Sequence, residues 1–241
     1  MRRIPTFSMK KLLLLLIGLC FHLPGIACVT CNKQIQETIF DSTFYPNLVT
    51  MLSAFIVLGL LVALLAFVST RRHRLQVAAN PSGNILNPVP LTSAATVLGI
   101  GLGGFIDGIV LHQILQWHEM LSNKLPPTTL VTKSVNMFWD GIFHAFTLLV
   151  VGVGIVLLWR LLFRKDISRS GNLLAGGILL GWGLFNIVEG IIDHHLLKLH
   201  NVREITENTA AWNYGFLGLS LLLIIAGLAL TGRERKVESL G

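Results

Sequence analysis

The chain has 241 residues, of which 53% are hydrophobic and 13% charged, too apolar for a soluble domain and with too few charges to cover a water-facing surface. The net charge of +7 does not point to nucleic acid: Arg2, Arg3, Lys10 and Lys11 precede the first apolar run, and most other cations flank later ones. Nucleic acid is therefore excluded as a partner, and the lipid bilayer is the expected one.

The first apolar run, Leu12 to Leu23, is short, follows a basic stretch and ends in Pro24-Gly25-Ile26-Ala27. This reads as a signal peptide over residues 1–27, cleaved before Cys28. Uncleaved anchoring is the alternative, and Met9 is a second candidate start. Cys28-x-x-Cys31 opens a segment, residues 28–47, expected in the periplasm. There a disulfide, a metal site and a redox pair all remain open, with the disulfide as default and metal delivery to the histidines as the sharper alternative. Asn32 stands where covalent haem attachment needs a histidine.

Five further segments are long enough to cross about 30 Å of hydrocarbon. They are Leu48 to Ser69, Ala94 to Trp117, Phe138 to Phe163, Leu173 to Leu197 and Trp212 to Leu230. Cations cluster after the first (Arg71, Arg72, Arg74), third (Arg160, Arg164, Lys165) and fifth (Arg233, Arg235, Lys236), which puts those ends in the cytoplasm. The signal peptide independently puts Cys28 outside, in agreement. The expected plan is an all-α polytopic transmembrane bundle of the bacterial inner membrane, with the mature N-terminus periplasmic and the C-terminus cytoplasmic. It comprises a first helix (48–70), a cytoplasmic linker (71–90), a four-helix membrane domain (91–232) and a tail (233–241).

The last four helices read as a duplicated two-helix unit. Asp107-Gly108-Ile109-x-x-His112 followed by His118 is matched by Glu189-Gly190-Ile191-x-x-His194 followed by His200. Trp139-Asp140-Gly141 has a weaker echo in Trp212-Asn213-x-Gly215. Two crossings return the chain to its starting side, so the paired histidines arise on one face of the membrane. Gly99 with Gly103, Gly104 with Gly108, and Gly177 with Gly181 are small-x-x-x-small pairs suited to close helix approach.

Six of the eight histidines and five carboxylates lie in or just beyond the outer halves of the second, third and fourth spans. A charge deep in a helix costs at least ~2.5 kcal/mol on insertion scales, and one metal cation relieves that cost for several groups together. Asp107, His112, Asp140, His144, Glu189, Asp193 and His194 are the expected metal residues. His118, His195, His200, Asn136 and Asn186 are secondary, with His118, His195, His200 and Glu119 read as interfacial or solvent-facing. On a regular helix His112 and His194 diverge from their acids by about 140°, so a single helix does not aim both groups at one point. The donors suit iron or zinc well and copper adequately. The competing reading is a polar network of Asp–His and Glu–His pairs that only fixes packing.

On Gly104-Phe105-x-Asp107-Gly108-Ile109-x-x-His112-Gln113-x-x-Gln116-Trp117-His118, Asp140-Gly141-x-Phe143-His144 and Phe185-Asn186-x-x-Glu189-Gly190-x-x-Asp193-His194-His195, the chain resembles an uncharacterised family of four-helix bacterial membrane proteins, over about Leu91 to Leu230. The resemblance implies a membrane domain of unknown function. It also implies a neighbourhood of cytochrome oxidase assembly factors, hence copper or respiratory metal handling, with a respiratory oxidase or its assembly factors as partners. The functional expectation is transition-metal binding in metal handling or metallocentre assembly. Its alternatives are a metal-dependent hydrolase or oxidase, and electron transfer by haem held between histidines. A transporter is disfavoured, because the inner helix halves lack polar residues to continue a path.

Overall fold

The computed structural model describes residues 32–79 and 86–238; the expected signal peptide and the Cys28–Cys31 pair lie outside them. The described chain forms α1 (Lys33–Ile39), α2 (Phe44–Ala79), α3 (Val89–Asp107), α4 (Leu130–Leu161), α5 (Gly171–Glu189) and α6 (Thr209–Glu238). Two π-helical turns, π1 (Gly108–Ile114) and π2 (Gly190–Leu196), continue α3 and α5 without a break.

Five helices among the described residues are long and apolar enough to cross a membrane. The shortest has 25 residues, about 38 Å at ~1.5 Å per residue, more than the ~30 Å hydrocarbon core requires. Their outward faces carry Leu60, Phe67, Leu148, Leu222 and Ile225, all exposed, a surface that only lipid tolerates. The protein is embedded in a bilayer.

Local chemistry sets the helix starts. Asn32 accepts from the backbone N–H groups of Gln34 and Ile35 at α1. Thr129 and Thr132 form a reciprocal capping box at α4, and the Ser170 hydroxyl accepts from Asn172 N–H at α5. Each satisfies amide groups that have no partner in the helix. At the cationic end, Asn87 bridges to Ile167 through Asn87 N–H to Asp166 O and Ser168 N–H to Asn87 O. This ties the start of α3 to the α4–α5 connection. Arg169 donates to Leu161 O and Leu162 O at the end of α4 and to Arg164 O beyond it, and Arg164 pairs with Asp166.

The helices α3 and α5 form the centre of the bundle, with α4 packed on α3 and α6 on α5. Glycine makes this possible: a Cβ at Gly99 would stand 2.1 Å from Ile178 O, and one at Gly181 would stand 2.0 Å from Thr96 O. The two backbones are therefore in direct contact, as the small-x-x-x-small spacing implies. Phe55 of α2 packs against Phe143, Phe146 and Phe185. Phe44 packs on Trp139, and α1 buries Ile35 and Ile39. The first membrane helix is thus bonded to the four-helix unit by aromatic contacts on the same end that carries the histidines.

Candidate metal centre

The unusual feature of α3 and α5 is how they end. Each passes from α- to π-helical bonding immediately after its buried acid, Asp107 or Glu189. In a π turn the hydrogen bonds run from i to i+5, so residues five apart come to lie above one another. The 140° divergence expected of a regular helix is thereby removed. His112 Nε2 comes within 3.2 Å of Asp107 Oδ2, and His194 Nε2 within 2.9 Å of Glu189 Oε1.

Beyond each π turn the chain reverses at a residue with positive φ, Gln116 (49°) and Lys198 (48°). These are left-handed positions that a residue with a side chain occupies only when its surroundings hold it there. Each reversal carries the next histidine back into the bundle. His118 is 3% exposed and His200 is 1% exposed, and Glu119 is buried as well. The interfacial position expected for these three residues on a straight helix is not what the fold provides.

Two groups of three donors result, Asp107 with His112 and His118, and Glu189 with His194 and His200. In each group one donor atom per residue lies within 4.8 Å of the others. The groups adjoin. The His118 and His200 rings stack at 4.5 Å, and His112 and His194 lie 5.8 Å and 4.8 Å from His200. Two buried His/carboxylate groups able to hold metal ions therefore share one imidazole cluster.

Hydrogen bonds fix how the first group presents its nitrogens. His112 Nδ1 lies 2.9 Å from Asp140 Oδ1, and His118 Nδ1 lies 2.8 Å from Val202 O. Both partners only accept, so both Nδ1 atoms donate. The Nε2 atoms of His112 and His118 then face each other at 2.9 Å. Two neutral rings so arranged would oppose lone pairs; a shared cation, either a proton held on His112 between Asp107 and Asp140 or a metal ion, removes the conflict. Burial, together with the neighbouring His112, pushes His118 down to about 3, and burial likewise holds His200 well below the usual histidine range. Burial thus favours the neutral ring at both positions, the form in which imidazole coordinates metal. Burial and the nearby Asp140 raise Glu119.

The second group differs. Glu189 Oε2, Asp193 Oδ1, Asn186 Oδ1, His194 Nδ1 and both ring nitrogens of His200 are buried without a hydrogen-bond partner, and His194 Nε2 meets only Glu189 Oε1, as an ion-pair contact. Unpaired buried polar atoms are rare because each costs roughly 1–3 kcal/mol. So many in one place mark a site whose donors are suited to a ligand. The contrast has a source in the sequence. Asp140 accepts Met120 N–H at 2.9 Å and Asn213 accepts Val202 N–H at 3.0 Å, equivalent bonds in the two halves. The same Asp140 Oδ1 also accepts His112 Nδ1–H, whereas Asn213 donates its amide to Asn201 Oδ1.

The remaining expected residues stand around these groups. His144 donates from Nδ1 to Asp140 O at 2.6 Å. Its Nε2 lies against Gly108, where a Cβ would stand only 2.6 Å away. His144 joins neither three-residue group. His195 bonds to Gly190 O and rests against Tyr214, away from the other rings. Asn136 accepts from Leu121 N–H and donates to Leu125 O, so it holds the loop above the site.

That loop and its counterpart after π2 are knitted into a cover. Asn123 N–H donates to Leu199 O and Glu204 N–H to Trp117 O, both at 2.9 Å, while Ser122 Oγ donates to Glu204 Oε1. A cleft of about 450 Å³, lined in part by Gln116, His118, Glu119, Ser122 and Glu204, opens between them from the aqueous side. Arg203 stacks over the Trp117 and Trp212 rings at the rim.

Residues 94–234, which hold both π turns and both loops, match a family of predicted membrane proteins, DUF2243. The chain belongs to that family. No curated protein and no solved structure matches it. DUF2243 is a membrane domain of unknown function, so what its polar cluster does is argued from the geometry.

Proposed function

We propose that this DUF2243 protein is a membrane metalloprotein holding two neighbouring transition-metal ions. Asp107, His112 and His118 ligate one, and Glu189, His194 and His200 the other. The observation that carries this reading is the pair of Nε2 atoms facing each other at 2.9 Å while both Nδ1 atoms are committed as donors. Asp140 acts behind His112, fixing its tautomer and raising its basicity. Asp193 and Asn186 support the second ion, and His144 buttresses π1.

The donor set fits. Two imidazoles and one carboxylate suit iron or zinc, and copper adequately. Three protein ligands leave coordination positions open, which distinguishes exchangeable or reactive sites from closed structural ones. Packed imidazoles only 4.3–4.8 Å apart leave no gap for a porphyrin, so ionic metal is favoured over haem. Handling of metal for respiratory metallocentres is the role we assign. The cleft beside His118 supplies access for a delivering or receiving partner from the aqueous face, and the Cys28–Cys31 pair is a candidate donor.

The cation clusters at the opposite end from the histidines support a periplasmic site in a bacterial inner membrane. Duplication of a two-helix unit accounts for the matched π turns, the matched positive-φ residues and the equivalent Asp140 and Asn213 bonds. Elemental analysis of the detergent-purified protein tests the reading. We expect stoichiometric transition metal that is lost, with helicity intact, from His112→Ala and His194→Ala. Full retention of metal in both variants refutes the assignment.

A further inference from the structure

A second cavity, separate from the aqueous cleft, adjoins the histidine cluster from the side. It measures about 570 Å³, within the ~300–1,000 Å³ of small-molecule sites. Trp117, Trp182, Trp212 and Phe216 give it aromatic walls. Ile106, Val110 and Leu219 also line it and are exposed on the apolar outer surface of α3, π1 and α6, so its mouth opens toward lipid. Among its otherwise apolar lining are Asp107 and Asn186. Asn186 is 3% exposed, and its Oδ1 is buried without a hydrogen-bond partner.

We propose that this cavity binds a neutral, membrane-soluble hydroxyaromatic, of the phenol or quinol class, entering laterally from the bilayer with its hydroxyl on Asn186 and Asp107. The aromatic walls accept a planar ring through offset or edge contacts. The two polar residues require a hydrogen-bond donor, and the unpartnered acceptor gains from one. The Asp107 carboxylate in the lining excludes a fatty-acid or phosphate headgroup by like-charge repulsion. The hydroxyl then stands beside Asp107, a member of the first three-donor group, which makes the bound ring a neighbour of that ion. The inference shares Asp107 with the two-ion reading but does not need metal to be present, so it is tested on metal-free protein.

The experiment uses the full chain in detergent and a brominated alkylphenol, whose heavy atom quenches the fluorescence of the cavity tryptophans. Saturable quenching is expected, with binding of the methyl ether of the same compound weakened roughly three- to tenfold by loss of one hydrogen-bond donor. Asn186→Leu should erase that discrimination. Gly215→Leu should abolish saturable quenching, because Gly215 lines the cavity and an added Cβ there meets nothing within 4 Å. Leu219→Trp, at the exposed mouth, should do the same without touching the interior. Equal binding of phenol and ether, or stronger binding of a brominated fatty acid, would identify a simple lipid-filled groove and overturn the proposal. Unchanged quenching in both blocking variants would also overturn it. Phenol binding by a protein that takes up no stoichiometric transition metal would sink the two-ion reading alone.

Discussion

Asp140→Asn is the sharpest perturbation of the proposed centre. Asparagine matches aspartate in shape, and Asn213 in the other half already accepts the equivalent backbone N–H, so the fold tolerates the change. One Asp140 oxygen, Oδ1, accepts both His112 Nδ1–H and Met120 N–H, each at 2.9 Å. An asparagine that keeps its Oδ1 there retains both bonds and loses the negative charge behind His112. His112 Nε2, the atom that faces His118 and Asp107, then becomes a less basic donor to metal. Mutation of such an outer partner typically costs 10–100-fold in metal affinity, about 1.4–2.7 kcal/mol. Competition with a chromogenic chelator should therefore show one of two ions released 10–100-fold more readily, the other unchanged, and thermal stability of the metal-free protein nearly unaltered. Two ions held with wild-type affinity in Asp140→Asn would refute the role assigned to the Asp140 charge.

His118→Ala and His200→Ala should each remove one metal equivalent by elemental analysis with helicity retained, whereas the interfacial position read from sequence predicts no loss. Gly181→Ala, which sets a Cβ 2.0 Å from Thr96 O, should destabilise the bundle by at least about 1–3 kcal/mol in detergent unfolding. Gly152→Ala, where a Cβ meets nothing within 4 Å, should be neutral or stabilising by roughly 0.5–1 kcal/mol. In a cysteine-free background, Thr128→Cys should react with an impermeant thiol reagent added to intact cells, and Lys165→Cys should react only after lysis; the reverse pattern would invert the proposed orientation.

The five membrane helices were legible because apolar length alone determines them, and cations mark their ends. Their limits shifted where other forces act. The first runs from Phe44 to Ala79, past the expected start of the linker, while the second and fourth stop at Ile114 and Leu196 rather than carrying on to Trp117 and Leu197. The acid-Gly-Ile-x-x-His pattern located both donor groups, yet helical phase argued against their convergence. Nothing in residue spacing encodes a π turn; each begins at a glycine in close packing, Gly108 against His144 and Gly190 against Leu217 and Phe216. Nor does Gln116 or Lys198 announce a left-handed reversal, since glycine is the usual signal for one. The recurrence of His118 and His200 at equal distance from their acids was the signal available, and it outweighs the hydropathy argument that assigned them to the interface.

Cobalt(II) titration of the metal-free protein, followed by visible absorption, tests the central claim most directly. The account predicts saturation at two equivalents per chain, with ligand-field bands characteristic of mixed nitrogen and oxygen donors that fall to one equivalent in His118→Ala. Absence of such bands, or a titration indifferent to all four clustered histidines, would contradict it.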